Sequence, residues 1–439
     1  MRGALGLACL LAAAGCSKPP RRVVLITIDT LRADHVGPRA GAESLTPALD
    51  ALARDGVAYD DAITNCVVTR CAHVSLFTGR YPWGHGVLDN STPYTGDSLP
   101  QRLRSLGVAT GAVVSSLPAK GLLPGFDWSH EGFDAAEAGR TTYPVKRPEQ
   151  TTRAAARFLE TRSTGPFLLW VHYFPPHGPY TPPEPLLRGL EAPAGARLQV
   201  SKRNYEKGRI PAYQALPEVF DSGEYRRRYA AHVRYVDSFV GRLLDRLREE
   251  QLYDDTLIIA TSDHGESLGE HGFYFQHGNL AYEEQARIPL IVKWPGRRHA
   301  GARIPAPVEL VDVAPTVAAF LGLQDFAADG VILPDPGATR ARRRFSQSND
   351  AELVAVYDGP LKLIWKRGPT AYTDPDYPAL ELFRLRQDAG ETRNLAAAEP
   401  EAAGRLLAEL RRRYASVTTP PRPDVSELEE PLRALGYVN

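Results

Sequence analysis

Three imidazoles and two carboxylates stand in short polar loops, each just after an apolar run. Asp29 follows Val23-Val24-Leu25-Ile26-Thr27-Ile28, and Asp263 and His264 follow residues 256–261 in "TSDHGESLGEHG". His177 lies in "FPPHGPY" and His277 in "FQHGNLAYEE". One aspartate at a strand end reads as a helix cap. Two of them with an adjacent histidine and two more imidazoles suggest a metal centre with extra polar groups for an anionic substrate. A second stretch, "NCVVTRCAHVSLFTGRYP" over 65–82, crowds Cys66, Thr69 and Cys71 together as candidate nucleophiles.

These side chains need a scaffold that brings distant loops to one place. The residues at 23–28, 111–115, 166–172, 256–261 and 288–293 form apolar, mostly β-branched runs that predict buried strands. Helical spacing recurs over 44–55, 150–161, 224–250 and 311–321; in the third, Val233, Val236, Val240, Leu243, Leu244 and Leu247 mark one face. Strands alternating with helices predict an α/β fold whose central, mostly parallel sheet is covered on both faces. Sites in such folds gather at the carboxyl ends of strands. A basic linker at 339–344 precedes short strands at 353–357 and 361–365 and a helix at 400–415, which together predict a small C-terminal α+β subdomain.

The chain has 439 residues, 43% hydrophobic and 24% charged, with no net formal charge. That is enough to bury a full core, and it gives no electrostatic argument for nucleic acid. Residues 1–16 read as an export signal, with Arg2, a short apolar stretch from Ala4 and then Gly15-Cys16. The Ala13-Ala14-Gly15-Cys16 end resembles a bacterial lipoprotein box, with Cys16 as the lipidated residue. The expectation is an exported, membrane-tethered cell-envelope protein, periplasmic or on the outer membrane. With Cys9 and Cys16 accounted for, only Cys66 and Cys71 remain; outside the cytoplasm such a pair can be oxidised.

"VVLITIDTLRADHVG", "LTPALDALARDGVAYDDAIT", "HVSLFTGRYP", "DDTLIIATSDHGESLGEHG" and "LELFRLRQDAGETRNLA" occur in the order of the sulfatase family of the alkaline phosphatase superfamily, which the chain resembles from about residue 22 onward. The resemblance implies a sulfatase-like α/β sandwich at 17–340 with a small subdomain at 341–439. It also implies hydrolysis or transfer of a sulfuryl or phosphoryl group through a covalent enzyme intermediate. Sulfatases use a Cys, oxidised to formylglycine, within Cys-x-Pro-x-Arg, nine residues before the Thr of Thr-Gly. Nine residues before Thr78 stands Thr69; Cys71 falls on the motif's Pro and His73 on its Arg. The paired Asp after strand one is Asp29-Thr30, and the usual Asp-Asn is Asp263-His264. The Thr nucleophile, the Asp-His pair and the following His277 are similar to the phosphodiesterases and the lipid A phosphoethanolamine transferases.

The expected mechanism follows. Asp29, Thr69, Asp263 and His264 hold one divalent metal, Zn²⁺ or Mn²⁺ in preference to Ca²⁺ because of the imidazole. Thr69 attacks as covalent nucleophile. His177 and His277 bind the transferring oxyanion or protonate the leaving group, with room for a second metal. His73 touches the substrate side and steadies the nucleophile loop. His85, His172, His271, Asp34 and Asp237 are read as structural. The substrate is a small anionic ester, a glycan or a lipid headgroup, with specificity in loops such as 187–223. The competing readings are a true sulfatase, a headgroup phosphotransferase and an inactive tethered binding protein.

Overall fold

A computed structural model describes residues 21–37, 43–122, 124–130, 146–201, 206–367 and 377–417. The lipoprotein box with Cys16 lies outside the described residues, as does the end of the C-terminal subdomain. Arg22–Ile28 (β1) explains the two-sided fold in miniature. Val23 and Leu25 enter one apolar core, and Val24, Ile26 and Ile28 enter another. A strand buried on both faces needs helices on both.

The other strands of the central sheet are Val57–Tyr59 (β2), Ala109–Val113 (β3), Trp128–His130 (β4), Phe167–Tyr173 (β5), Thr256–Ser262 (β6), Leu290–Lys293 (β7) and Ala302–Ile304 (β8). Their order is β8-β2-β7-β6-β1-β5-β3-β4. β7 pairs antiparallel with both neighbours, and every other pairing in this sheet is parallel. Pro47–Asp55 (α1), Pro148–Arg162 (α3) and Ser222–Glu249 (α4) pack in the second core. Thr69–Thr78 (α2) and Val313–Leu321 (α5) pack in the first. No helix among the described residues is long and apolar enough to cross a membrane.

A four-stranded antiparallel sheet follows: Arg344–Gln347 (β9), Leu353–Asp358 (β10), Leu361–Lys366 (β11) and Leu380–Arg384 (β12), covered by Pro400–Arg413 (α6). Two sequence expectations change here. The strand expected at 111–115 starts two residues earlier, because its pairing with β5 begins at Ala109–Phe167. The basic run at 339–344 is no solvated linker. Arg340 pairs with Asp312, Arg342 with Glu309 and Asp312, and Arg344, itself in β9, with Asp61. This run clasps the small sheet to the main body.

Candidate active site

The carboxyl ends of β1 and β6 lie side by side, since Ile28 is level with Ser262. Asp29 and Asp263 therefore meet although they are far apart in sequence. The chain leaves β1 through Thr30, whose φ of 57° is left-handed. A β-branched residue there costs roughly 1–3 kcal/mol, and such strain concentrates at functional sites. Three bonds hold the turn: the Thr30 N–H donates to Asp263 Oδ1 (3.2 Å), and the Tyr229 hydroxyl both donates to the Thr30 carbonyl (2.8 Å) and accepts from the Arg32 N–H (3.0 Å).

After β6, His264 is fixed by its own loop. Its Nδ1 lies 2.9 Å from the Gly265 carbonyl. A carbonyl only accepts, so Nδ1 carries the proton and Nε2 keeps a lone pair. That lone pair lies 3.4 Å from Thr69 Oγ1, 3.6 Å from Asp263 Oδ2 and 4.0 Å from Asp29 Oδ1. Gly265 lets the loop press against the 284–285 backbone; a Cβ there would lie 2.1 Å from the Glu284 carbonyl oxygen.

Thr69 opens α2, where the positive end of the helix dipole favours negative charge. His73, one turn on, donates from Nδ1 to the Thr69 carbonyl (2.8 Å). Its Nε2 lies 3.1 Å from Thr27 Oγ1, which also accepts from Trp170 Nε1 (2.9 Å). Both ring nitrogens of His73 are thus spent on the protein. These bonds tie the His73 ring to the backbone of Thr69 and to β1. Cys66 and Cys71 are joined in a disulfide, so neither offers a thiol.

His177 and His277 complete the cluster. Their rings lie 5.0 Å apart, and the His277 ring lies 4.5 Å from that of His264. His177 donates from Nδ1 to the Gly178 carbonyl (2.7 Å), and His277 Nδ1 faces Glu266 Oε1 (3.1 Å). Burial pushes His177 down to about 3 and His277 to about 4, so both are neutral near pH 7. Neutral rings are suited to accept a proton or a metal; holding an oxyanion by charge would require that they first be protonated. Glu266, raised to about 7 by burial, was not singled out from the sequence, although it lies three residues after Asp263 in the quoted motif.

The donor set fits a divalent cation. Asp29 and Asp263 are fully buried, and both oxygens of Asp29 and Oδ2 of Asp263 have no hydrogen-bond partner among the described residues. Burial, then Asp263 and Glu266, raise the Asp29 carboxyl well above the usual range. Burial also pushes Asp263 up, but His264, His73 and His172 outweigh it and leave Asp263 below its ordinary value. Two adjacent buried carboxylates pushed in opposite directions, one with no hydrogen-bond partner on either oxygen, make a site that suits positive charge. Asp29, Asp263 and His264 present ligand atoms within 4.8 Å of one another. His172 also faces this cluster, 3.7 Å from Asp29, where the sequence suggested only a structural residue.

Of the other histidines and acids read as structural, His85 bonds Ser75, His271 stacks on Tyr282, Asp34 pairs with Arg32 and His35, and Asp237 accepts the α1 N–H groups of Ala48 and Leu49.

Proteins to which this chain is similar carry names that refer to sulfate and to phosphonate esters. The multifunctional alkaline phosphatase superfamily protein PehA of Trinickia caryophylli is 28% identical over 382 residues, covering 69% of this chain and 74% of that protein. The choline-sulfatase of Rhizobium meliloti is 26% identical over 434 residues, covering 85% and 82%. The phosphonate monoester hydrolase of Agrobacterium radiobacter superposes with a TM-score of 0.70 at 22% identity, over 91% of this chain and 96% of that one. The profile of the Sulfatase family matches residues 21–323, and the chain belongs to that family.

Proposed function

We propose that this chain is a metal-dependent hydrolase of phosphorus esters, phosphodiester or phosphomonoester, that uses Thr69 as its covalent nucleophile. At the coarser level it is a sulfatase-family hydrolase of sulfate or phosphonate esters. One observation carries the finer reading: the hydroxyl of Thr69 lies 3.4 Å from Nε2 of His264, the imidazole beside Asp29 and Asp263, while both nearby cysteines are consumed in a disulfide. A divalent ion on Asp29, Thr69, Asp263 and His264 would supply Lewis acidity, lowering the hydroxyl pKa and neutralising the anionic ester.

The protein's own groups do the rest. His73 and the α2 dipole hold the Thr69 backbone in place. Thr69 gives up its hydroxyl proton, through water, to His177 Nε2, and Oγ1 forms the bond to phosphorus as the bond from phosphorus to the ester oxygen breaks; His177 passes that proton to the leaving oxygen, or holds a second ion instead. In the second step His277 Nε2, backed by Glu266 on Nδ1, takes a proton from water as the water oxygen bonds to phosphorus, the bond to Thr69 Oγ1 breaks and Thr69 recovers a proton. The disulfide also supports an oxidising compartment, in keeping with the proposed export and lipid anchor at Cys16.

The test is turnover of aryl phosphate monoester, phosphodiester, phosphonate ester and sulfate ester with Zn²⁺, Mn²⁺ or Ca²⁺, with Thr69→Ala alongside. Phosphorus-ester turnover with a transition metal, lost in Thr69→Ala, is expected. Preferential sulfate turnover that survives in Thr69→Ala would sink the proposal and favour the sulfatase reading, which the choline-sulfatase relative keeps open.

A further inference from the structure

The disulfide that consumes both cysteines also encloses the nucleophile, and the reaction above makes no use of it. Cys66 and Cys71 are fully buried in the first core, with Cα atoms 5.9 Å apart. Two apolar side chains would pack there as well, so burial alone does not account for two sulfurs. Global stability accounts for little. A loop this short restrains the unfolded chain less than a long one does.

The start of α2 accounts for more. A Ser, Thr, Asp or Asn usually caps a helix start and fixes how the chain enters it. Here the residue before Thr69 is Val68, which is extended (φ −135°, ψ 143°) and has no capping oxygen. Thr69 thus stands where the chain turns from extended to helical without a side-chain cap. The disulfide spans that turn, from Cys66 on the extended side to Cys71 in the first helical turn. Gln347 of β9 holds two members of the closed loop. Its carbonyl accepts the Val67 N–H (3.0 Å), and its Nε2 lies 4.0 Å from Cys71 Sγ. Its Oε1 accepts in turn from the Tyr414 hydroxyl (3.1 Å). On the helical side, Asn90 Oδ1 accepts the Arg70 N–H (2.7 Å). A loop seated in this way presents Thr69 Oγ1 at 3.4 Å from His264 Nε2.

We propose that Cys66 and Cys71 are a positioning pair for Thr69: their bond does the work of the missing cap and sets the turn that aims Oγ1 at the strand-end cluster. The pair acts through Thr69, and this rests on the Thr69 reading of the proposed function. A misplacement of about 1 Å can cost about 10²-fold in rate. Without the bond, the folded enzyme keeps its metal and its KM and loses kcat.

The test measures aryl phosphorus-ester turnover by the full chain in three forms: the oxidised wild type, the wild type with both thiols free, and Cys66→Ala/Cys71→Ala. Glutathione disulfide then closes the bond in the thiol form; the two thiols pass two electrons and two protons to it, giving two molecules of glutathione. kcat should be about 10- to 100-fold lower in the thiol form and in the double variant, with KM and bound Zn²⁺ unchanged. Oxidation should restore it in the wild type alone. Amide hydrogen exchange in the double variant should rise over 64–78 and hold steady in β1 and β6. Equal kcat in all three forms overturns the proposal. So does a loss that comes with metal release or with faster exchange throughout the central sheet, because the bond would then hold the whole fold. Failure of both unbridged forms to fold has the same meaning. These outcomes leave the Thr69 reading intact; an oxidised wild type with no phosphorus-ester turnover overturns that reading and the positioning pair with it.

Discussion

Asp29 and Glu309 are both carboxylates with no exposure to solvent, and they live in opposite circumstances. Glu309 lies in the clasp between the main body and the small sheet. It accepts from Asn65 Nδ2 (2.9 Å), the Phe345 N–H (2.9 Å) and the Tyr81 hydroxyl (2.8 Å), and pairs with Arg342 (2.7 Å). On β11, Lys362 stands between Glu283 (3.0 Å) and Glu391 (2.7 Å). Asp29 has no such company; its oxygens meet only other acceptors and neutral rings. Burial alone does not separate structural charge from functional charge. Compensation from within the chain does: the clasp is complete as folded, whereas the strand-end cluster is complete only with something added.

The sharpest way to break this comparison is to substitute within each region and read both activity and stability. Asp29→Asn removes a metal-facing charge without a volume change. Turnover should fall by roughly 10³-fold or more. The metal-free protein should melt no lower than the wild type, because a buried carboxyl that the chain leaves without hydrogen-bond partners is replaced by a neutral amide. A large loss of melting temperature in the metal-free variant would show that Asp29 is compensated after all.

Arg342→Ala does the reverse. It strands Glu309 without its cation, leaves Asp312 with Arg340 alone, and should cost about 3 kcal/mol by denaturant titration, the low end for a broken buried pair because Arg342 still reaches solvent. Turnover per folded molecule should hold. An equal loss of kcat would mean that the clasp shapes the site.

A smaller effect is expected for His73→Gln, which loosens Thr69 without touching the metal. kcat should drop about 10- to 100-fold with bound metal unchanged. Loss of the metal would make His73 a ligand and contradict its hydrogen bonds.

The smallest signal is a proton. Burial and the neighbouring Asp263 and Glu266 make Asp29 hold its carboxyl proton more tightly than an ordinary carboxylate, so metal binding should release protons and strengthen as pH rises. Calorimetry in buffers of different ionisation enthalpy measures this. No proton release would mean that Asp29 is ionised before metal arrives.

What the sequence disclosed follows the same divide. Asp29, Asp263 and His264 were legible because each stands where a periodic apolar run stops, and sites collect at such ends. The main strands, the long helix, and the two strands and helix read near the C-terminus followed from periodicity; the antiparallel order of the four-stranded sheet did not. Thr69 emerged by counting back from Thr78. His172 was not legible, because it sits inside a strand and reads as one more buried residue; only its register with Thr27 places it under Asp29. The clasp was missed because its partners are remote in sequence, as Arg344 and Asp61 are, and an arginine run without known partners reads as solvated. That misreading also hid β9.

The disulfide from Cys66 to Cys71 bears on how a cell makes this protein. It closes a ring of six residues with Thr69 inside, and it removes the only two thiols among the described residues. On the Thr69 reading, the reactive group is encoded directly by the gene and leaves the ribosome ready. Biosynthesis then calls for an oxidant that joins two thiols, not for an enzyme that rebuilds a cysteine. A host without formylglycine-forming machinery should yield fully active protein from its oxidising compartment; inactive protein from that host, regained only with the machinery, would return the nucleophile to a cysteine.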